Sequence, residues 1–274
     1  MPTTKNADVE IYYEVFGDPG NPVLLLVNGL GSQCINFKKE FCEKLVAEGF
    51  RVVRFDNRDV GLSSHLKGGP EYTIVDMAAD AIAVLDAVGV ERAHIAGWSM
   101  GGMISQQVAI EYPDRLLSLT SVMSSPGGLR KVDPDVLAAF SAPAPKTKEE
   151  FVAAHINGLK LWGSPAFQEV DRLTADAEAA FDRSFDPGGR ARQAAAVGRS
   201  PNRTEALAHV TVPTLVIHGD ADRLVHPDAG RDTAAAVPGA RFELVAGMGH
   251  DYPPQVWDTM VGLITTHAKA AASV

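Results

Sequence analysis

The sequence predicts an α/β fold, a mostly parallel, doubly wound sheet with a helical cap insertion. Three observations predict it. Short apolar runs alternate with amphipathic stretches along residues 1–124 and again along 206–274. The pentapeptide Gly97-Trp98-Ser99-Met100-Gly101 lies between one such run and a helix-like stretch. Residues 125–205 lose the β pattern and carry Pro residues between Ala-rich segments. Residues 1–124 and 206–274 are therefore expected to form one core domain, with 125–205 inserted as a cap or lid.

Each element has its own signal. Val9, Ile11, Tyr13 and Val15 alternate as in a half-buried strand, and Asp18-Pro19-Gly20-Asn21-Pro22 is a turn. Val23 to Val27 is continuously apolar, as a parallel strand covered on both faces should be. Lys38 to Glu48 reads as an amphipathic helix, with Gly49 at its left-handed cap. Arg51 to Phe55 is the next strand. Thr73 caps a helix running to Val88, Asp76 suits its first turn, and Gly89 closes it. Ala93 to Ala96 feeds Ser99, Met100 to Glu111 is the helix that leaves it, and Leu116 to Met123 is the following strand. In the insertion, Thr147-Lys148-Glu149-Glu150 fits a capping box. Strands resume at Thr214–His218 and Arg241–Val245, and a helix near Gln255–His267 ends the pattern.

Composition narrows the function classes. The 274 residues are 46% hydrophobic and 22% charged, as in an ordinary globular enzyme. A formal charge of −9 disfavours nucleic acid and anionic membrane as partners. No apolar run approaches the ~20 residues that span a bilayer. Met1 to Asn6 lacks the apolar core of a signal peptide, so a cytoplasmic protein is expected. Cys34 and Cys42 fall between the first core strand and the helix after it, and are expected to be reduced, buried thiols. No metal-ligand spacing and no phosphate loop is present, so no metal and no cofactor is expected.

A Ser hydroxyl needs a general base, and the base needs an orienting carboxylate. The order Ser, acid, His is present. Ser99 is followed by Asp222 in His218-Gly219-Asp220-Ala221-Asp222, then by His250 in Gly247-Met248-Gly249-His250. Each lies just past a predicted strand end, where open α/β sheets bind ligands. Asp220 is the alternative acid; Asp222 is preferred because it lies further past the strand. Asp251 adjoins the base and is discounted. His65, His94, His155, His209, His218, His226 and His267 are expected in structural or solvent roles. The Met100 N–H and the Leu30 N–H, in Asn28-Gly29-Leu30-Gly31, are the candidate oxyanion-hole donors.

These stretches, with Arg54-Phe55-Asp56-Asn57-Arg58-Asp59-Val60-Gly61-Leu62-Ser63, resemble the α/β-hydrolase superfamily in its serine-esterase-like branch, and within it the aclacinomycin methylesterase group. The resemblance covers about Val9 to Met123 and Val212 to His267. It implies an α/β-hydrolase fold and hydrolysis of a carboxylic ester, lactones and methyl esters included, through an acyl-enzyme. Ser99, Asp222 and His250 would form the triad. Trp98, Leu30 and Trp162 are expected to bind a small apolar ester-type substrate, with packing in the lid the alternative for Trp162. A monomer or small homo-oligomer is expected. Asn28 stands where the superfamily usually has His, and Asp59-Val60-Gly61 where many members have Gly-x-Gly. Asp56 and Arg58 read as anchors of that loop. Ser rather than Asp at the nucleophile position argues against haloalkane dehalogenase and epoxide hydrolase chemistry. A cofactor-free perhydrolase, a carbon–carbon bond hydrolase and a non-catalytic small-molecule receptor remain as alternatives.

Overall fold

The computed structural model describes residues 2–128 and 131–272. Its strands are β1 (Thr3–Asn6), β2 (Val9–Phe16), β3 (Val23–Val27), β4 (Arg51–Phe55), β5 (Ala93–Trp98), β6 (Leu116–Val122), β7 (Thr214–Gly219) and β8 (Arg241–Val245). They form one 8-stranded sheet in the order β1-β2-β4-β3-β5-β6-β7-β8. The β1–β2 and β2–β4 pairs are antiparallel, and the pairs from β4 through to β8 are parallel.

The alternation of side chains explains the two-sided core. Leu25 and Val27 point to one face, Leu24 and Leu26 to the other. On the first face lie α2 (Ile74–Ala87) and α3 (Met100–Glu111). On the second lies α1 (Lys39–Ala47), with α10 (Trp257–Ala271) beside it. Thr73 accepts from the Val75 N–H and Asp76 from the Thr73 N–H, which fixes the start of α2. Gly49 and Gly89 take φ of +92° and +72°, the left-handed stops expected after α1 and α2.

Between β6 and β7 run α4 (Pro134–Phe140), α5 (Lys148–Trp162), α6 (Val170–Arg183), α7 (Gly189–Arg199) and the short α8 (Thr204–Leu207); α9 (Pro227–Ala236) follows β7. At the start of α5 the Thr147 hydroxyl accepts from the Glu150 N–H at 3.2 Å. Glu150 returns its bond to the Lys146 N–H, one residue before the position a full capping box uses.

Several expectations need adjusting. Strand β1 was not anticipated: Thr3–Asn6 has no apolar alternation, and it pairs only along the polar sheet edge. The last helix begins at Trp257 after a 3-10 turn at Pro254–Val256, and it carries His267 inside it rather than at its end. Cys42 lies within α1, not ahead of it; both cysteines are buried and unbridged. Burial pushes the Cys42 thiol up to about 12 and the Cys34 thiol higher still. Among the described residues no helix is long and apolar enough to cross a membrane.

Candidate active site

Ser99 occupies the junction between β5 and α3 with φ +55° and ψ −119°, a conformation that costs energy for any residue but Gly. Its neighbours show why the turn is built from small residues. A Cβ at Gly97 would lie 2.1 Å from the Gly101 carbonyl oxygen, and one at Gly101 would lie 2.1 Å from that of Val27. The junction is pinned by the Ser99 N–H donating to Val122 O at 2.9 Å and the Ser124 hydroxyl donating to Ser99 O at 2.7 Å.

The strand ends bring three predicted residues together. The Ser99 hydroxyl donates to His250 Nε2 at 2.9 Å, and His250 Nδ1–H donates to Asp222 Oδ2 at 2.7 Å. Asp222 is 3% exposed, and its Oδ1 accepts from the Leu224 and Val225 N–H groups, both at 2.9 Å. Burial opposes its ionisation, but the His250 and His218 imidazoles outweigh that and hold its carboxyl below the usual range. Asp220 is not in this chain; it accepts from the Gly247 N–H at 2.7 Å and so ties down the turn before His250.

The loop after β3 abuts the hydroxyl. A Cβ at Gly29 would lie 3.3 Å from Ser99 Cβ and 3.8 Å from Ser99 Oγ. Neither the Leu30 nor the Met100 N–H meets an acceptor among the described residues. Asn28, in the place of the usual His, donates to Gln33 O at 2.8 Å, and Asn57 donates to Asn28 O at 3.1 Å. Asp56 accepts from the Cys34 and Leu62 N–H groups, and Arg58 pairs with Asp80, so both anchor the loops as expected.

Of the two tryptophans, Trp98 differs from expectation and Trp162 follows the packing alternative. Trp98 is 2% exposed and packs on Phe37, Phe41 and Tyr252, with ring centroids 4.8, 6.1 and 5.5 Å away. It belongs to the core rather than to an open wall, because α1 and the turn before it supply aromatic partners. The Trp162 side chain packs with Phe140 in a small cluster that includes Val136, Leu224 and Val225. Its backbone reaches the site instead: the His250 N–H donates to Trp162 O at 2.6 Å. Leu30 is half-buried against the α2–α3 side of the core.

Other contributors carried no periodic signal. His218 lies four residues before Asp222; its Nε2 is 2.7 Å from Val225 O and 3.3 Å from Asp222 Oδ2. That spacing was its only clue. Asp251 accepts from both the N–H and the hydroxyl of Ser164, and the Ser164 hydroxyl accepts from the Gly249 N–H at 2.9 Å. Gln193 accepts from the Gly31 N–H at 2.8 Å. Asp59, His65 and Asp186 place ligand atoms within 4.8 Å of one another, but Arg192 donates to both carboxylates and occupies the space between them.

A hydroxyl aligned on an imidazole with a carboxylate behind it is an arrangement that can perform acyl transfer. Residues 22–252 match the family model described as alpha/beta hydrolase fold. A rhodomycin D methylesterase of Streptomyces peucetius is 32% identical, with 99% of each chain covered. A hydrolase of Pseudomonas aeruginosa superposes with a TM-score of 0.77 at 26% identity over 97% of each chain. An enol-lactonase of Burkholderia xenovorans is alike in fold, with a TM-score of 0.79 at 24% identity over 98% of this chain and 100% of that one. The chain thus belongs to the α/β-hydrolase family and is a hydrolase of its esterase-like branch.

Proposed function

We propose that the protein cleaves carboxylic esters by nucleophilic catalysis at Ser99. One observation carries the reading: the unbroken hydrogen-bonded line from the Ser99 hydroxyl through His250 to buried Asp222, at 2.9 and 2.7 Å. In the proposed reaction His250 Nε2 takes the hydroxyl proton as Ser99 Oγ attacks the ester carbonyl carbon. Asp222 holds the ring by Nδ1–H and stabilises the imidazolium. The Leu30 and Met100 N–H groups receive the oxyanion. The intermediate collapses, the carbon–alkoxy bond breaks, and His250 returns its proton to the departing alcohol. Water then gives its proton to His250 and attacks the acyl carbon; the bond from that carbon to Ser99 Oγ breaks, His250 returns the proton to Oγ, and the acid leaves.

The helical segment 125–205 is proposed as a cap over this rim, and the substrate as a small apolar ester. The likeness to a protein named for methylesterase activity makes a methyl ester the first candidate. The test is a panel of p-nitrophenyl esters, methyl esters and lactones with wild type and Ser99→Ala. Turnover by wild type, its loss in Ser99→Ala, and a fluorophosphonate adduct mapped to Ser99 are expected. Absence of turnover on every ester, or an adduct elsewhere, overturns the reading.

A further inference from the structure

Gln193 lies in the middle of α7 and is completely buried. Its side chain bridges two loops of the core. Oε1 accepts from the Gly31 N–H at 2.8 Å, and Nε2 donates to Arg58 O at 2.7 Å. Gly31 sits in the tight turn closed by the Ser32 N–H donating to Gly29 O at 3.2 Å, and its φ is +71°. A glycine there offers little barrier to rotation of the peptide before it. The turn bond holds the Gly29–Leu30 peptide, which carries the Leu30 N–H, while the Leu30–Gly31 peptide on the other side of the Leu30 Cα takes its stiffness from outside the turn.

The two ends of this loop are braced differently. The strand end is held within the core by Asn28 on Gln33 O and Asn57 on Asn28 O. Among the described residues, the Leu30–Gly31 peptide has one hydrogen-bond partner, Gln193, and it comes from α7. The Arg190 stem lies over the same glycine: a Cβ at Gly31 would lie 3.3 Å from Arg190 Cγ and Cδ.

We infer that Gln193 is a positioning residue for the oxyanion loop: it fixes the Leu30–Gly31 peptide from α7 and so keeps the Leu30 N–H in register with the Met100 N–H. The inference rests on the serine-hydrolase reading above. An oxyanion donor counts only within hydrogen-bond reach of the charge that develops in the transition state. A loosened tip therefore costs transition-state stabilisation and leaves ground-state binding largely intact.

The experiment compares wild type with Gln193→Leu, Gln193→Asn and Gln193→Glu on one activated ester, with active sites titrated by a fluorophosphonate. Leu removes both bonds, Asn is one methylene too short, and Glu keeps an acceptor for the Gly31 N–H. Expected are a kcat loss of roughly 10- to 100-fold in Leu and Asn per titrated site, part of the ~10²–10³ that deletion of a donor costs. KM should move less than about threefold, because ground-state binding is retained. Affinity for a boronic acid transition-state analogue should fall in step with kcat, and Glu should recover the loss, relative to wild type at the same pH, as its carboxyl becomes protonated and can both accept from the Gly31 N–H and donate to Arg58 O. A purely structural role would lower the titrated fraction or the melting temperature while leaving kcat per site and analogue affinity at wild-type values; that result overturns the inference. If Leu does not fold, Asn and Glu decide it by the same criteria. Wild-type turnover that depends on Ser99 but not on Gln193 removes this inference alone. Absence of Ser99-dependent turnover removes both.

Discussion

The sheet core and the helical segment between β6 and β7 are held by different forces. Both faces of the sheet are apolar, with Leu24 to Val27, Val52, Val53 and Ile95 essentially without solvent contact. Burial there is non-directional and sums over many side chains. The helical segment buries fewer such side chains: Val136 in α4, Leu173 and Ala177 in α6, and, against the sheet's own core, Ala196 in α7 and Leu207 in α8. Directional polar bonds add to that docking. Arg183 meets Asp56 at 2.8 Å, Arg192 meets Asp59 at 2.7 Å, and Ser164 binds Asp251. These bonds land on the loops that carry Asp56, Asp59 and His250, and Gln193 and Arg183 add bonds to the loop that carries Gly31 and Cys34. The core sets where Ser99, Asp222 and His250 can be, and the polar contacts add to how tightly the loops around them are held.

The largest expected effect tests the core side of that contrast. Asp222→Asn should lower kcat by roughly 10³- to 10⁴-fold, because the imidazole loses the partner that fixes its tautomer. The melting temperature should hardly change, since the Leu224 and Val225 N–H groups keep an acceptor. Steady-state kinetics beside a thermal melt checks this, and an equally large loss of stability would contradict it.

The next concerns pH. Burial lowers the pKa of His94 to about 4, with neighbouring His267 adding to the effect. An unfolded histidine titrates near ~6.5. Between those values the unfolded chain binds a proton that the folded chain refuses, so stability falls as pH drops from about 6.5 toward about 4. The full window is worth at most about 3 kcal/mol. Urea unfolding at several pH values should show that slope in wild type and its flattening in His94→Leu. An unchanged slope would assign the acid sensitivity to other groups, buried His267 among them, whose pKa is also lowered by burial.

A smaller effect tests the docking side. Arg192→Met leaves the buried Asp59 carboxylate with the Leu66 N–H and Tyr72 hydroxyl only. The half-exposed guanidinium limits the loss to about 2 kcal/mol. It should appear as faster amide exchange across α7, with the central strands unaffected. Uniformly faster exchange would mean that the segment and the sheet unfold as one unit.

The same contrast explains what the sequence disclosed. Val23–Val27 and the paired glycines around Ser99 are local patterns in the chain, although the steric need at Gly101 comes from Val27 on the neighbouring strand. His250 and Asp222 were legible through chain order, because the strand ends of a parallel sheet share one edge. Gln193 and Gly31, or Ser164 and Asp251, are far apart in the chain and belong to no repeating pattern, so only the folded arrangement pairs them. Trp98 next to Ser99 suits a pocket wall or a core equally; Phe37, Phe41 and Tyr252 decide for the core.

The two thiols turn this division into something that can be timed. Cys34 lies beneath the Arg183 guanidinium, 3.5 Å from Sγ, whereas Cys42 is enclosed in α1 against the sheet. An alkylating reagent therefore reads two clocks in one chain: Cys34 registers each departure of α6, and Cys42 waits for the sheet layer itself to open.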